Sequence, residues 1–583
     1  MGVKSSRQSL AEVRTRVRAR TGSIQLSGRY HRLPKKIEDD YIVLDKVLGT
    51  GVGGPVYLAT SRGASKSSNP KLFAVKFFKL KGIRAELVSV MQTEVEIFLQ
   101  MDHPHVCTLY DVYESKESLQ LVMECLEGGE LHERITKCRT FSEKAAAETT
   151  FQMLLAINYI HNRGIVHRDL KLENFLYEAQ GSDHIKLIDF GLGKVWSPNR
   201  KMKAQLGTLA YLAPEVFLKS YTSKCDLWSL GVIVWVLLVG YLPFTLYPDQ
   251  EQTVLDILNQ DWKMDEVRWR KVSKTASDFV FKLLERDPEK RLSAQQALEH
   301  QWIAGREGMA SPALDQGIVD SLCNFANASR FRRACMQVMA VSLNTEERAK
   351  VHKAFIAMDR RKCGCIKLHE LKEVLEENFS ISNEEARKIF QALDSTNNEE
   401  IYYSEFLAAM MSSRIEIHED LVRAAFHRMD GDGSGEITLD DLRRVLGDCI
   451  DAEEIEQLVQ EAKLMTNGSI KYDEFLGYLC GEEAQEKHQE AAAKIIEASI
   501  HLDRARSERG ESLSPEPMMT AKARTRSGSL VLPRIFQAAD APAPDRGDSQ
   551  GVEAWGASAK SDPGLPGKSD SKRGVFSRTC TVS

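Results

Sequence analysis

The sequence lacks an apolar run long enough to cross a bilayer comfortably. Its longest, "LGVIVWVLLVGYLPF" from Leu230, falls short of the ~20 residues a spanning helix needs and better suits a buried core helix. A secretory apolar segment is also missing from the N-terminus. The eleven cysteines follow neither a zinc spacing nor a disulfide framework. In a chain of this size that points to a reducing cytosol rather than a stapled extracellular domain. Net charge is only −5, so no bulk field for nucleic acid or membrane follows. Acid is scarce in one place: residues 1–36 hold ten Lys/Arg against Glu12 alone. Such a stretch either attracts anionic lipid or is a solvated tail.

What remains is ordinary globular material, 43% hydrophobic and 28% charged over 583 residues, enough for several domains. Residues 1–40 read as a basic, Ser-rich, flexible extension. From 41 to 302, β-branched runs alternate with helical periods, as in a two-layer α/β enzyme. Residues 303–345 form a junction with a helix-like apolar rhythm. From 346 to 481 a unit repeats: candidate loops start at Asp359, Asp394, Asp430 and Lys463, spaced by 35, 36 and 33 residues. Each ends in an acid and precedes an apolar helix, so the period marks stacked copies of one supersecondary unit. Residues 482–583 begin with a charged helical stretch and then turn Ser-, Pro-, Gly- and Ala-rich, which predicts disorder.

"LDKVLGTGVGGPVYLA" places Gly49, Gly51 and Gly54 as G-x-G-x-x-G, with Val56 two residues later. Glycine lets the backbone close over phosphates without a Cβ clash. A dinucleotide fold would need this motif to open a helix, but "VYLAT" and "LFAVKFF" follow and read as strands. Lys76 sits on the third strand of the run from Tyr41. Glu94, in "TEVEIF" on the next helix, can pair with it, with Glu96 as the other candidate. "VHRDLKLENFL" then supplies His167, Arg168, Asp169, Lys171 and Asn174. "LIDFG" supplies Asp189, and "APE" ends in Glu215.

This ordered set resembles the eukaryotic protein kinases over about 41–302. The resemblance implies ATP and Mg²⁺ as cofactors and phosphoryl transfer by positioning and charge neutralisation. It implies Lys76 on the α/β-phosphates, Asp169 as acceptor of the substrate hydroxyl proton and Lys171 at the γ-phosphate. Asn174 and Asp189 would hold Mg²⁺. Met123 would border the adenine pocket and Glu124–Leu126 would form the hinge. Asp226 and Arg291 look structural, with Arg291 paired to Glu215. No required residue is missing, which argues against a pseudokinase; Leu172 stands where relatives more often carry Pro. "DLKLEN" and "GTLAYLAPE" imply Ser/Thr specificity. Glu130 and Glu173 match acids that face substrate arginines in basophilic relatives, although Glu130 could instead hold only the ribose. Protein substrates with basic residues near Ser/Thr are therefore expected, and no nucleic-acid partner. Ser23 in "RTGS" and Ser529 in "RSGS" fit that context. In the activation segment Ser197 is the only hydroxyl between Gly193 and Gly207. Either it is phosphorylated to meet Arg168, or Arg168 finds another partner.

The repeat has EF-hand spacing, in which positions 1, 3, 5, 7, 9 and 12 ligate and Gly at 6 makes the turn. Loop 430–441 fits with Asp430, Asp432, Ser434, Gly435, Glu436 through its carbonyl, Thr438 and Asp441. Asp441 stands where Glu is usual. One methylene shorter, it should reach with a single oxygen, weaken Ca²⁺ and favour octahedral Mg²⁺. Loop 394–405 offers Asp394, Thr396, Asn398 and Glu405, but Glu399 replaces the glycine, a strained choice. Loop 359–370 keeps Asp359, Gly364 and Glu370 yet puts Arg361 and Cys363 at ligand positions. Loop 463–474 opens on Lys463, which repels a cation. The last two are expected to keep EF-hand shape without metal.

A kinase, a junction and four EF-hands in one chain resemble the calcium-dependent protein kinases of plants and protists, over about 41–480. The resemblance implies an α+β bilobal kinase fold, an inhibitory junction and an all-α calmodulin-like domain that captures or rearranges the junction when calcium binds. The junction sequence supports this separately. "LCNFANASRFRRACMQVMAVSL" carries Leu322, Phe325, Phe331, Met336 and Met339 with Arg330, Arg332 and Arg333. That is a basic amphipathic segment of the kind EF-hand lobes bind; the plainer alternative is a packing helix of the kinase.

The ends read as addresses. "MGVKSS" matches a myristoylation signal at Gly2, and the basic stretch behind it can supply a second membrane signal. "CTVS" matches a prenylation box at Cys580, imperfectly, because Thr581 is not aliphatic. The resulting expectation is a cytosol-facing, membrane-associated, calcium-tuned Ser/Thr kinase. Its rivals are a kinase braced by calcium-insensitive EF-hands and a calcium-responsive scaffold with little catalysis.

Overall fold

Alternation within single strands builds the first lobe. In Leu72–Lys79, Phe73 and Val75 enter one apolar cluster while Ala74 and Phe78 enter another on the opposite face. The computed structural model describes residues 29–51, 54–62, 71–82, 85–138, 141–197, 200–306, 314–379, 381–411, 414–446, 455, 457 and 468–481. Six strands form this lobe's sheet: β1 Tyr30–Arg32, β2 Tyr41–Gly51, β3 Gly54–Ser61, β4 Leu72–Lys79, β5 Leu109–Glu114 and β6 Ser118–Glu124. Their spatial order is β1-β5-β6-β4-β3-β2. The pairings are antiparallel except β1 with β5. Helix α1, Ala85–Phe98, packs its Val95 and Phe98 into the same cluster as Ala74 and Phe78.

Strand β1 corrects the expected boundary. A flexible extension was expected through residue 40, but the described residues from Arg29 onward already belong to the lobe. Tyr30–Arg32 adds a parallel edge strand in the register Tyr30↔Val112. Ile37 and Tyr41 then cap the sheet face opposite α1. Three residues are too few for alternation to show in sequence, and the strand's partner lies about 80 residues away.

The second lobe is helical. Helix α2, Glu143–Asn162, is started by the Ser142 side chain, which accepts from Ala145 N. Helix α3, Lys224–Val239, takes up the apolar run from Leu230, and its Trp228 and Trp235 are fully buried. Gly240, at φ 78°, ends it in the left-handed region that glycine tolerates. Among the described residues no helix is long and apolar enough to cross a membrane.

The junction forms two helices, α4 Gln316–Asn327 and α5 Arg330–Ser342. Leu322, Phe325, Phe331, Met336 and Met339 are buried in one core with the helices of 352–480, separate from the kinase core. The junction is thus held by the EF-hand region. Arg332 donates to the Tyr478 and Leu479 carbonyls, both at 2.9 Å. In that region the loops pair two by two through short antiparallel ladders, Ile366 with Ile401 and Ile437 with Ile470. The first five residues of loop 463–474, with Lys463 among them, lie outside the described residues, as do Gly2, Ser23, Ser529 and Cys580.

Candidate active site and calcium loops

The glycine-rich turn joins β2 to β3, with Gly49 opposite Val56 and Gly51 opposite Gly54. Gly54 has φ 130°, and a Cβ there would sit 2.3 Å from the Phe77 carbonyl oxygen. Only glycine fits that close approach. Val56 pairs with Lys76 across β3 and β4.

Lys76 is buried, with its Nζ 2.6 Å from Glu94 Oε1 on α1 and 3.0 Å from Asp189 Oδ1. Burial alone would lower its pKa; the two carboxylates outweigh that and hold it above the ordinary value. Glu94, rather than Glu96, is therefore the partner. Phe190 is fully buried against Phe98, ring centroids 5.0 Å apart, which fixes α1 to the segment carrying Asp189.

Asp169 Oδ1 accepts from the Thr208 hydroxyl at 2.7 Å, and Lys171 Nζ lies 3.2 Å from its Oδ2. Asn174 Nδ2 donates to the Asp169 carbonyl at 2.7 Å, which aims its amide oxygen elsewhere. The chain reverses here through Arg168, a non-glycine residue at φ 67°. Such a conformation costs ~1–3 kcal/mol and persists only when the surroundings enforce it. The buried Asp226 does so by accepting from the His167 and Arg168 amides, both at 2.9 Å, and from His161 at 2.8 Å. Burial raises the Asp226 pKa, but these bonds outweigh it and hold the carboxyl below its usual value. Arg291 meets Glu215 bidentately at 2.5 and 3.0 Å, both buried.

Arg168 has its partner without a phosphate. Its Nε donates to the Leu192 carbonyl at 2.6 Å, and its charge acts on the nearby Tyr221. Tyr221 in turn holds Ala204 O at 2.6 Å, while Ser197 is exposed.

Met123 is buried at the end of β6, and Leu126 is half-buried in the connection that follows. Glu124 departs from a simple hinge residue. Its carboxylate points into a buried charge cluster, 2.6 Å from Lys186 Nζ and 4.0 Å from Arg348 Nη1. Its amide donates to the Thr108 carbonyl, and its own carbonyl accepts from the Cys107 thiol at 3.8 Å. Glu130 is half-buried near Glu133 and Glu173; burial and these two like charges raise its pKa.

In loop 430–441, carboxylate oxygens of Asp430, Asp432 and Asp441 lie within 4.8 Å of one another. Ligands on opposite sides of a Ca²⁺ with bonds of 2.3–2.6 Å are about 5 Å apart, so the set fits the ion. Gly435, at φ 86°, makes the turn, and its amide donates to Asp430 at 2.9 Å. Asp441 is fully buried. It accepts from Gly431 N at 3.2 Å and from Thr438 N at 3.0 Å. Arg444 Nη2 lies 3.6 Å from its Oδ1, a competitor one helical turn on that the motif gave no reason to weigh. Removing this half-exposed cation with Arg444→Ala is expected to raise the loop's calcium affinity roughly two- to fivefold, the range of an exposed ion pair. Calcium titration of both proteins checks this.

Loop 394–405 has the expected strain: Glu399 sits at φ 65°. Glu405 accepts from Ser395 N at 2.9 Å and Tyr402 N at 2.8 Å. Asn398 Nδ2 donates to the Tyr402 hydroxyl at 2.6 Å, and the Thr396 hydroxyl to Asp394 at 3.3 Å.

Long-range contacts that no motif announced join the EF-hand region to the kinase. Arg428, on helix α6 (Glu419–Met429), meets the buried Asp111 at 2.9 Å. Asp111 also accepts from Tyr41 at 2.6 Å. Arg348 Nη1 donates to Thr108 Oγ1 at 3.1 Å, and Ser404 Oγ to Asp102 at 2.6 Å. Lys71 Nζ donates to Leu343 O at 2.9 Å.

This geometry agrees with the comparisons. A model for the protein kinase domain matches residues 42–303, and one for the EF-hand domain pair matches 348–411 and again 419–480. Calcium-dependent protein kinase 7 of Arabidopsis thaliana is 33% identical over 447 residues, covering 75% of this chain and 82% of that protein. The chain belongs to the calcium-dependent protein kinases. Calcium-dependent protein kinase 11 of Oryza sativa is 34% identical over 442 residues, 75% of this chain and 76% of that one. Calcium-dependent protein kinase 5 of Plasmodium falciparum is 31% identical over 455 residues, 76% and 79%. As a member of this family the kinase is a Ser/Thr protein kinase that uses ATP and Mg²⁺, with EF-hands for calcium.

Proposed function

We propose that this kinase phosphorylates Ser/Thr in basic surroundings and is released from junction autoinhibition when calcium loads loop 430–441. The observation that carries the reading is the Lys76–Glu94–Asp189 cluster together with the burial of α5 in the EF-hand core. Bound ATP supplies the γ-phosphoryl group. Lys76 orients the α/β-phosphates, held by Glu94. Asp169 aligns the substrate hydroxyl and accepts its proton, positioned by Thr208. Lys171 neutralises charge at the γ-phosphate. Asn174 and Asp189 would hold Mg²⁺, having oxygens suited to that hard ion. Gly49, Gly51, Gly54 and Val56 close over the nucleotide, which lies against Met123 and the Glu124–Leu126 backbone. Glu173 supports a basic substrate preference, because its buried Oε2 has no hydrogen-bond partner among the described residues; a substrate guanidinium would satisfy it.

Phosphorylation of a basic peptide, with calcium and with chelator, tests the reading. Calcium-stimulated activity, lost in Asp430→Ala and lowered when the peptide's arginines become alanines, is expected. Equal activity with and without chelator would favour the brace reading; no activity in either would favour the scaffold.

The basic segment behind Gly2 supports a second element, peripheral attachment to a membrane on its cytosolic side through Gly2 myristoyl and Cys580 prenyl groups. A Gly2→Ala, Cys580→Ser double variant should move to the soluble fraction. Unchanged localisation would sink this element alone.

A further inference from the structure

Loop 359–370 has the EF-hand turn but not a calcium donor set. Position 3 is Arg361, whose side chain lines a neighbouring cavity, and position 5 is Cys363. Calcium takes six to eight oxygens, and a thiol and a guanidinium do not provide them. The atoms that do converge are of another kind. Ligand atoms of Asp359, Cys363 and Glu370 lie within 4.8 Å of one another. Cys365 Sγ lies 3.5 Å from Cys363 Sγ. Two sulfurs on one tetrahedral ion with ~2.3 Å bonds are about 3.8 Å apart, so the pair already stands near that spacing. Cys363 Sγ is also 3.6 Å from Asp359 Oδ1.

We propose that loop 359–370 binds a thiophilic divalent cation, Zn²⁺ in the first instance, through the convergent Asp359, Cys363 and Glu370, with Cys365, whose Sγ lies 3.5 Å from that of Cys363, turning in as the fourth ligand. Two thiolates and two carboxylates would then make a tetrahedral set of the softness zinc prefers and calcium does not. Binding forms two metal–sulfur bonds, and each thiol releases its proton to solvent. Two lysines flank the loop and have partners of their own: Lys362 Nζ bonds the Ile356 carbonyl and Lys367 Nζ is 3.5 Å from Glu400. Access is provided by a cavity of about 720 Å³ that Cys363 and Cys365 line, together with Arg163, Gln295 and Arg361.

The site's place gives it a consequence. The Lys362 carbonyl accepts from Asn158 of α2 at 2.8 Å. Gly364 lies so close to the kinase that a Cβ would meet the Tyr159 ring at 2.2 Å. A metal that stiffens this loop would stiffen the seat of the EF-hand region on the kinase.

The test is Co²⁺ titration of the full chain, reduced with a phosphine that does not bind metal. One cobalt per chain with thiolate-to-cobalt charge-transfer absorption is expected, bleached by Zn²⁺ and unmoved by excess Ca²⁺. Cys363→Ser should abolish the absorption. Cys365→Ser should weaken binding by about 10- to 100-fold or more. Asp359→Asn, which is isosteric but keeps only one of the two oxygens that accept from Cys363 N and Gly364 N, should weaken binding with the thiolate absorption retained. Absence of the absorption in the parent chain, its persistence in Cys363→Ser or its displacement by Ca²⁺ would overturn the proposal. Calcium-stimulated activity of Cys363→Ser reports separately on folding and on the role of loop 430–441.

Discussion

Asp169→Asn is expected to lower kcat by about 10²–10⁴-fold, the range for losing a positioned proton acceptor, with little change in the KM for ATP. The substitution keeps the size of the side chain. The residue at 169 can still bond Thr208, 2.7 Å away, and its backbone carbonyl still accepts from Asn174. Geometry is thus retained while the carboxylate that takes the substrate proton is lost. Lys171, 3.2 Å from that carboxylate, loses its ion-pair partner but keeps its charge for the phosphate. Calcium binding involves loops remote in sequence and should be untouched. Steady-state kinetics with a basic peptide, beside a calcium titration, provide the check. A kcat within a few-fold of the parent would remove Asp169 from the proposed mechanism.

The second large effect is expected at the seam between the two regions. Arg428→Ala leaves Asp111 buried without its cation. Breaking a buried pair typically costs about 3–5 kcal/mol. Asp111 keeps the Tyr41 hydroxyl and His31 as partners, so the lower end of that range applies. Burial raises the Asp111 pKa, but Arg428 and His31 outweigh it and hold the carboxyl well below its usual range. The carboxylate therefore stays charged at neutral pH and must be compensated. Because α6 runs directly into loop 430–441, its loss of anchorage should uncouple calcium from catalysis. Calcium-stimulated activity should fall while calcium still binds and basal activity persists. Full stimulation in Arg428→Ala would show that this contact does not transmit the signal.

Acid should loosen the same seam. His352 of the EF-hand region stacks on His184, ring centroids 4.3 Å apart, and His184 stacks on His105. Burial, then Lys186, lowers the His352 pKa to about 4. An unburied histidine titrates near 6.5. The undocked state therefore binds more protons between these values, so this contribution is complete above about pH 6.5 and is lost as pH falls toward 4.

The chemistry of the active site was legible because it is local and ordered. Glycines, Lys76, Glu94, Asp169, Asn174 and Asp189 occur in motif order with fixed neighbours, and phosphate and metal chemistry allows few substitutes at each position. The carboxylates that converge in loop 430–441, Asp430, Asp432 and Asp441, were legible for the same reason, since a twelve-residue loop carries its own donor set. The amphipathic period of Leu322–Met339 announced a captured helix. Folding alone decided what captured it: the same apolar stripe would serve a kinase core or an EF-hand core, and only packing chose the latter. Folding also chose the partner of Arg168, because the Leu192 carbonyl that meets it is a backbone group brought there by the fold and not marked by any side chain. It made β1 from three residues whose partner strand lies far along the chain. It turned Glu124 away from the nucleotide and toward Lys186 and Arg348. Contacts such as Asp111–Arg428 span 317 residues. Single charged residues of this kind look like surface charge in a sequence, and they acquire meaning only when burial removes water and makes a partner obligatory.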